Sequence, residues 1–93
     1  MSLLDEREVA AALGALPGWE RAERTIAKTW RFRDFKEAMF FVNGVAALAE
    51  RAGHHPDIAV RYGQVTLSLW THDAGGITAK DLALAREIDA AAG

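Results

Sequence analysis

Apolar residues follow two different spacings along this chain, and the changes of spacing divide it into seven short elements. Apolar positions three and four residues apart predict helices, and runs of β-branched and aromatic residues predict strands. The helices are expected at about 6–13, 35–52 and from 79 onward, and the strands at 19–22, 25–32, 58–61 and 64–71. The predicted order is therefore α-β-β-α-β-β-α.

Polar residues stand before each predicted helix and are followed three positions later by an acidic residue, the pattern of a capping box. The pairs are Asp5 with Glu8, Asp34 with Glu37, and Thr78 with Asp81. Gly53 suits the left-handed residue that ends a helix, and Pro56 lies just beyond it. These signals fix where the predicted helices begin and where the second one ends.

The fold class follows from the short connections between strands. Glu23-Arg24 and Tyr62-Gly63 are tight turns, so the strands that they join must be antiparallel. The three amphipathic helices must bury their apolar faces, and the sheet is the surface against which they can pack. We predict one α+β domain over residues 1–93, with a four-stranded antiparallel sheet and the three helices on one face.

Composition excludes several classes of function. The chain has 51% hydrophobic and 26% charged residues, which is typical of a globular domain, and its net charge of −2 gives no general attraction to nucleic acid. It has no cysteine, and therefore no disulfide or thiolate chemistry. We also expect no membrane span and, since residues 1–7 lack the apolar core of a signal peptide, a cytoplasmic location.

The second predicted hairpin brings the three histidines of the chain together. With a two-residue turn at Tyr62-Gly63, paired positions sum to 125, so Ile58 lies opposite Leu67 on an apolar face. Extending this register places position 72 opposite position 53. We therefore expect His72 to lie beside His54 and His55.

The predicted surroundings of these histidines suit proton transfer. His54 and His55 follow the C-terminus of a helix, whose carbonyl groups favour a positive charge. Glu50 precedes His54 by one helical turn, and Pro56 should hold His55 extended. Imidazole is the side chain whose ordinary titration lies nearest neutrality, so such a cluster can give and take protons.

Each of these residues, taken alone, also has an ordinary structural explanation. They are a helix-end cap (His54), a polar turn residue (His72), a solvated charge (Glu50), a capping acid (Asp81), a turn aromatic (Tyr62), and a packing, interface or stacking residue (Trp70). The predicted convergence favours a functional site.

Residues 50–81 resemble the motif of the pterin-4a-carbinolamine dehydratases. That motif has an acidic residue, a His-His-Pro triplet, an aromatic residue, a third histidine and an aspartate at set spacings. Its places are filled by Glu50, His54-His55-Pro56, Tyr62, His72 and Asp81. The segment from Thr71 to Gly76 also resembles the family's sequence around the third histidine.

The resemblance implies a lyase that removes water from 4a-hydroxytetrahydrobiopterin, giving quinonoid dihydrobiopterin in tetrahydrobiopterin recycling. It implies His54 and His72 as the acid/base pair, with His55 also in the catalytic set. The expected pterin-binding residues are His55, Glu50, Pro56 and Asp73, and the supporting residues are Asp81 and Tyr62. No metal or organic cofactor is implied, because the pterin is the substrate.

Two other functions remain open from the sequence. The three histidines, with Glu50 and Asp73, could form a metal site, although neighbouring residues in extended chain point to opposite sides. The chain could also be a protein-interaction module, since some animal members of the family bind a homeodomain transcription factor and promote its dimerisation.

The second predicted helix carries more apolar surface than one sheet normally covers. It has no charged residue between positions 38 and 49. One stripe is expected to cover the sheet (Phe35, Ala38, Met39, Val42, Val45, Ala46, Ala49), and further apolar residues lie beside it (Phe40, Phe41, Ala47, Leu48). We expect a homodimer or homotetramer, as the resemblance also implies; the alternative is that the two other helices cover these residues.

Overall fold

The computed structural model describes residues 2–92, and within them the chain forms three helices and four strands in the predicted order. The elements are α1 (Glu6–Leu13), β1 (Glu20–Ala22), β2 (Thr25–Arg31), α2 (Phe35–Ala52), β3 (Asp57–Arg61), β4 (Gln64–Leu69) and α3 (Ala79–Ala92). The predicted α+β class is confirmed.

The first predicted capping box is complete, and the second is half formed. Asp5 accepts a hydrogen bond from the Glu8 amide at 2.8 Å, and Glu8 accepts one from the Asp5 amide at 3.0 Å. At α2, Asp34 accepts from the Glu37 amide at 2.9 Å, as predicted. The Glu37 carboxylate instead accepts from the Arg33 amide at 3.0 Å, and the Arg33 guanidinium lies 3.1 Å from the same carboxylate.

The sheet has the strand order β1-β2-β4-β3, and every neighbouring pair is antiparallel. The predicted register of β3 and β4 is confirmed, with Ile58 opposite Leu67 and Val60 opposite Val65. The two hairpins join through β2 and β4, where Ile26 lies opposite Leu69. That central pairing makes the four strands one sheet.

The predicted end of β4 was wrong by two residues. The strand ends at Leu69, and Thr71 pairs with Gly76 in an isolated bridge. The Thr71 carbonyl accepts from the Gly75 amide at 2.9 Å, so the chain turns back instead of continuing along β3. The ladder therefore does not extend to His72.

The helices cover one face of the sheet. Alternate residues of β4 (Val65, Leu67 and Leu69) are fully buried on that face. From α3, the predicted core residues are all buried (Leu82, Ala85 and Ile88). No helix within residues 2–92 has both the length and the apolar character needed to cross a bilayer.

The predicted apolar stripe of α2 was partly wrong. Its buried residues are Ala38, Val45 and Ala49, which lie on one narrow line of the helix. Ala46 follows Val45, is rotated about 100° from it and is exposed. Phe35, at the first position of α2, is 58% exposed.

Candidate active site

A cavity of about 370 Å³ lies where α2 ends, β3 begins and the chain leaves β4. Its walls include His54, His55 and His72, so the predicted convergence of the histidines is confirmed. Pro56 and Asp73 also line it. The convergence is made by the tight turn after β4, and not by the extended ladder from which it was predicted.

Another cavity, of about 460 Å³, lies between α2 and α3. It is lined mainly by apolar side chains, among them Phe40, Phe41 and Leu48. Imidazole is the side chain best suited to proton transfer near neutral pH, and all three histidines line the cavity at the end of α2, here called the histidine cavity. We therefore take the histidine cavity as the candidate active site.

His54 is placed by the end of α2. Gly53 adopts a left-handed conformation (φ 65°), and the His54 amide donates to the Ala49 carbonyl at 3.1 Å. This cap directs the His54 ring inward, where Nε2 lies 2.5 Å from Asp81 Oδ1. The His54 side chain is 11% exposed and the Asp81 side chain is fully buried.

Asp81 is both a helix-capping acid and a partner of the histidine site, the two roles that the sequence suggested. Its Oδ2 accepts from the Thr78 amide at 2.9 Å, so it caps α3. The same oxygen accepts from Thr71 Oγ1 at 2.9 Å, while Oδ1 contacts His54. One buried carboxylate therefore ties the start of α3 to the histidine cavity.

His55 makes a separate and more exposed pair. Its Nε2 lies 2.5 Å from Glu50 Oε2, and the two side chains are 63% and 76% exposed. Glu50 thus pairs with His55, although it precedes His54 by one helical turn. An exposed pair of this kind adds little stability, and its main effect is to orient the imidazole.

His72 stacks on an aromatic ring. The ring centroids of His72 and Trp70 lie 4.0 Å apart, with 30° between their planes. The Arg24 guanidinium carbon lies 5.9 Å from the Trp70 ring centroid. Trp70 therefore packs against His72, its ring also lines the cavity, and its role as a stacking platform stays a prediction.

Tyr62 is the one predicted site residue, among those described in residues 2–92, that lies far from the cavity. It occupies the β3–β4 turn with φ 57° and is 88% exposed. The histidines lie at the other end of that hairpin, so the supporting role of Tyr62 stays a prediction. Lys80 lines the cavity and was not anticipated.

The geometry also bears on the metal alternative. Within residues 2–92, no group of three or more histidine, aspartate or glutamate side chains is arranged to hold a metal ion. The adjacent His54 and His55 rings contact different carboxylates: His54 contacts Asp81, and His55 contacts Glu50. Their arrangement suits two separate acid–imidazole pairs.

Comparison with known proteins identifies the family. The model of the family described as pterin 4 alpha carbinolamine dehydratase matches residues 2–91. The chain belongs to this family. Membership supports a pterin dehydratase activity, that is, a lyase.

Individual members of the family match along nearly the whole chain. A "putative pterin-4-alpha-carbinolamine dehydratase" of Thermomicrobium roseum is 53% identical over 88 residues, covering 95% of each chain. A relative with the same name from Chloroflexus aurantiacus is 52% identical over 89 residues, covering 96% of each.

Solved structures share the fold. A transcriptional coactivator/pterin dehydratase from Brucella melitensis superposes with a TM-score of 0.92 at 37% identity, covering 97% of this chain and 98% of the other. A pterin dehydratase-like protein identified as a RuBisCO assembly factor in the alpha-carboxysome has a TM-score of 0.69 at 25% identity, covering 82% and 90%.

Proposed function

We propose that this protein is a 4a-hydroxytetrahydrobiopterin dehydratase that acts in tetrahydrobiopterin recycling in the cytoplasm. The observation that carries the proposal is the meeting of His54, backed by the buried Asp81, with His72 around one cavity. Family membership supplies the substrate class, and the cavity supplies groups suited to move protons.

The reaction needs one proton donor and one proton acceptor. The bond between C4a and its hydroxyl oxygen breaks, and the hydroxyl leaves as water after it takes up a proton. N5 loses its proton, and its electrons form the new double bond to C4a. Nothing is oxidised or reduced overall, so the proposed mechanism uses no metal or organic cofactor.

The two catalytic histidines differ in their surroundings, and we assign their roles from that difference. Asp81 stabilises a positive charge on His54, so His54 is suited to accept the N5 proton. His72 stacks on the face of Trp70, which attracts an imidazolium ion. His72 is therefore suited to protonate the leaving hydroxyl.

The remaining predicted residues are assigned to binding. His55, Pro56 and Asp73 line the cavity, and Glu50 orients the His55 imidazole. Carboxylates accept hydrogen bonds, which suits the N–H groups of a pterin pyrimidine ring. A cavity of about 370 Å³ falls within the range of small-molecule sites.

We also propose that the protein is a homodimer or homotetramer. Phe40 lies on α2 and is 83% exposed, and Phe35 on the same helix is 58% exposed. Soluble monomers rarely leave large apolar surfaces in water. A second copy of the chain would cover these rings.

Stopped-flow measurement with freshly generated 4a-hydroxytetrahydrobiopterin tests the proposed activity. We expect the wild-type protein to accelerate formation of quinonoid dihydrobiopterin over buffer alone, in metal-free buffer containing chelator. A rate equal to that in buffer would contradict the proposal. Such a result together with a stoichiometric protein partner in a pull-down would support the interaction-module alternative instead.

A further inference from the structure

A chain of buried hydrogen bonds lies behind His54. Thr71 Oγ1 is 2.9 Å from Asp81 Oδ2 and 2.7 Å from Thr78 Oγ1. Thr78 Oγ1 in turn accepts from the Lys80 amide at 3.3 Å. Thr78 and Asp81 are 0% exposed and Thr71 is 6% exposed, so water does not compete for these groups.

The chemistry of these groups fixes the direction of the chain. A carboxylate oxygen only accepts hydrogen bonds, so the single hydroxyl proton of Thr71 goes to Asp81. The hydroxyl of Thr78 must then donate to Thr71. With the Thr78 amide also donating to Oδ2, two donors hold that oxygen, and the other oxygen, Oδ1, faces His54.

The proton between Asp81 and His54 belongs on the imidazole. An ionised carboxylate oxygen can only accept a hydrogen bond, so His54 Nε2 carries the proton and donates it to Oδ1. His54 Nδ1 makes no hydrogen bond within residues 2–92. Nδ1 is thus the ring atom able to accept a proton from a bound molecule.

We propose that Thr71 and Thr78 are positioning residues that hold His54 as its Nε2–H tautomer, with Nδ1 as the atom that exchanges a proton with substrate. The statement about substrate rests on the proposed dehydratase function, whereas the statement about the tautomer does not. Neither threonine is one of the named positions of the histidine motif, although Thr71 begins the family-like segment from Thr71 to Gly76.

The backbone of Thr71 adds a link to the second histidine. Its carbonyl accepts from the amides of Ala74 and Gly75 at 3.2 and 2.9 Å, and its amide donates to the Gly76 carbonyl at 2.8 Å. These backbone hydrogen bonds close the turn that contains His72 and so fix the position of that residue. Thr71 therefore shapes the His72 loop with its backbone and supports His54 with its side chain, and a side-chain substitution separates the two effects.

The tautomer is tested by long-range ¹H–¹⁵N NMR of the imidazole rings. The chain has three histidines, so single His55 and His72 variants assign the spectrum. At a pH where His54 is neutral, we expect Nδ1 to resonate as an unprotonated nitrogen, and the Nε2 proton to lie far downfield and exchange slowly with water. A protonated Nδ1 in the neutral ring would overturn the inference, whether or not the enzyme turns over.

The positioning role is tested by Thr71→Val, which keeps the shape and removes the hydroxyl, with Thr71→Ser as the rescue. Thr66→Val is the matched control, because Thr66 and Thr29 form a similar hydroxyl pair at 2.8 Å in an exposed part of the sheet. Near-ultraviolet circular dichroism checks that each variant is folded. Thr78→Val provides an independent second test.

We expect Thr71→Val to speed exchange of the His54 Nε2 proton at least about tenfold and to lower kcat about 10- to 100-fold with KM within about twofold, as for a lost hydrogen bond to an ionised group. Thr71→Ser should restore both. An unchanged exchange rate and kcat in Thr71→Val, or a Thr71→Ser variant as impaired as the valine, would overturn the role. Loss of kcat without any change in exchange would overturn it as well.

Discussion

Replacement of Asp81 by asparagine removes one charge and changes almost no volume directly behind His54. The carboxylate accepts from Thr71 Oγ1 and the Thr78 amide at Oδ2, each at 2.9 Å, and from His54 at Oδ1 at 2.5 Å. An asparagine has one oxygen and one NH₂ group. Because Oδ2 faces two donors, the amide oxygen should occupy that side, and the NH₂ group should face His54.

The expected magnitudes follow from that arrangement. His54 Nε2 loses its acceptor and must accept from the new NH₂ group, which moves the ring proton to Nδ1. Replacing three hydrogen bonds to an ionised carboxylate by hydrogen bonds to a neutral amide should lower the free energy of unfolding by about 1.5–3 kcal/mol. With the base in the wrong tautomer, kcat should fall by about 10²-fold or more.

Urea unfolding followed by tryptophan fluorescence measures the stability of Asp81→Asn, and the stopped-flow assay measures its kcat. Glu87→Gln is the matched control, because Glu87 lies on the same helix and is exposed. The control should stay within about 0.5 kcal/mol of wild type. If Asp81→Asn also stays within that limit and keeps kcat within about threefold, the argument about Asp81 is refuted.

Three further predictions concern the pH profile, the assembly and the attachment of α3. Turnover should be bell-shaped across neutral pH, and a rate that is flat from about pH 5 to pH 9 would contradict histidine acid/base catalysis. In sedimentation equilibrium the wild type should be larger than a monomer and Phe40→Asp should dissociate it; a purely monomeric wild type would show that α2 needs no partner. Asp89→Ala should lower the unfolding free energy by about 1–3 kcal/mol, since Asp89 accepts from the Trp19 indole and the Lys28 ammonium group, each at 3.1 Å, while Glu87→Ala should not.

The local features of the fold could be predicted because short-range rules determine them. The two-residue turn at Tyr62-Gly63 fixed the register of β3 and β4, and the polar residues at 5, 34 and 78 marked where each helix begins. Gly53 ended α2 in the left-handed conformation expected of it. Each of these depends on residues within a few positions of one another.

Features that depend on distant contacts were missed or predicted inaccurately. The β2–β4 pairing joins strands separated by α2, so no turn specifies it. One local feature, the end of β4, was also missed, because the Thr71–Gly76 bridge replaces the ladder there. The exposure of Phe35 and Ala46 reflects the way α2 packs in three dimensions, which periodicity alone does not determine.

The candidate site shows the same division. The predicted register placed His72 beside His54 and His55, as the structure has it, although the ladder ends at Leu69 and does not reach His72. The Thr71–Thr78 hydroxyl pair joins a loop to the cap of α3, and threonine is too common a residue to suggest such a contact by itself. The Thr71–Thr78 contact behind His54 could be predicted only with the packing of α3 against the loop that carries His72.

We propose that the histidine cluster carries out both proton transfers of a pterin dehydration. Stopped-flow turnover of 4a-hydroxytetrahydrobiopterin by His54→Ala, His72→Ala and the double variant tests it most directly. We expect each single variant to lose about 10²-fold or more in kcat, and the double variant to lose more than either. Near-normal turnover in all three variants, with their folds intact, would contradict the claim.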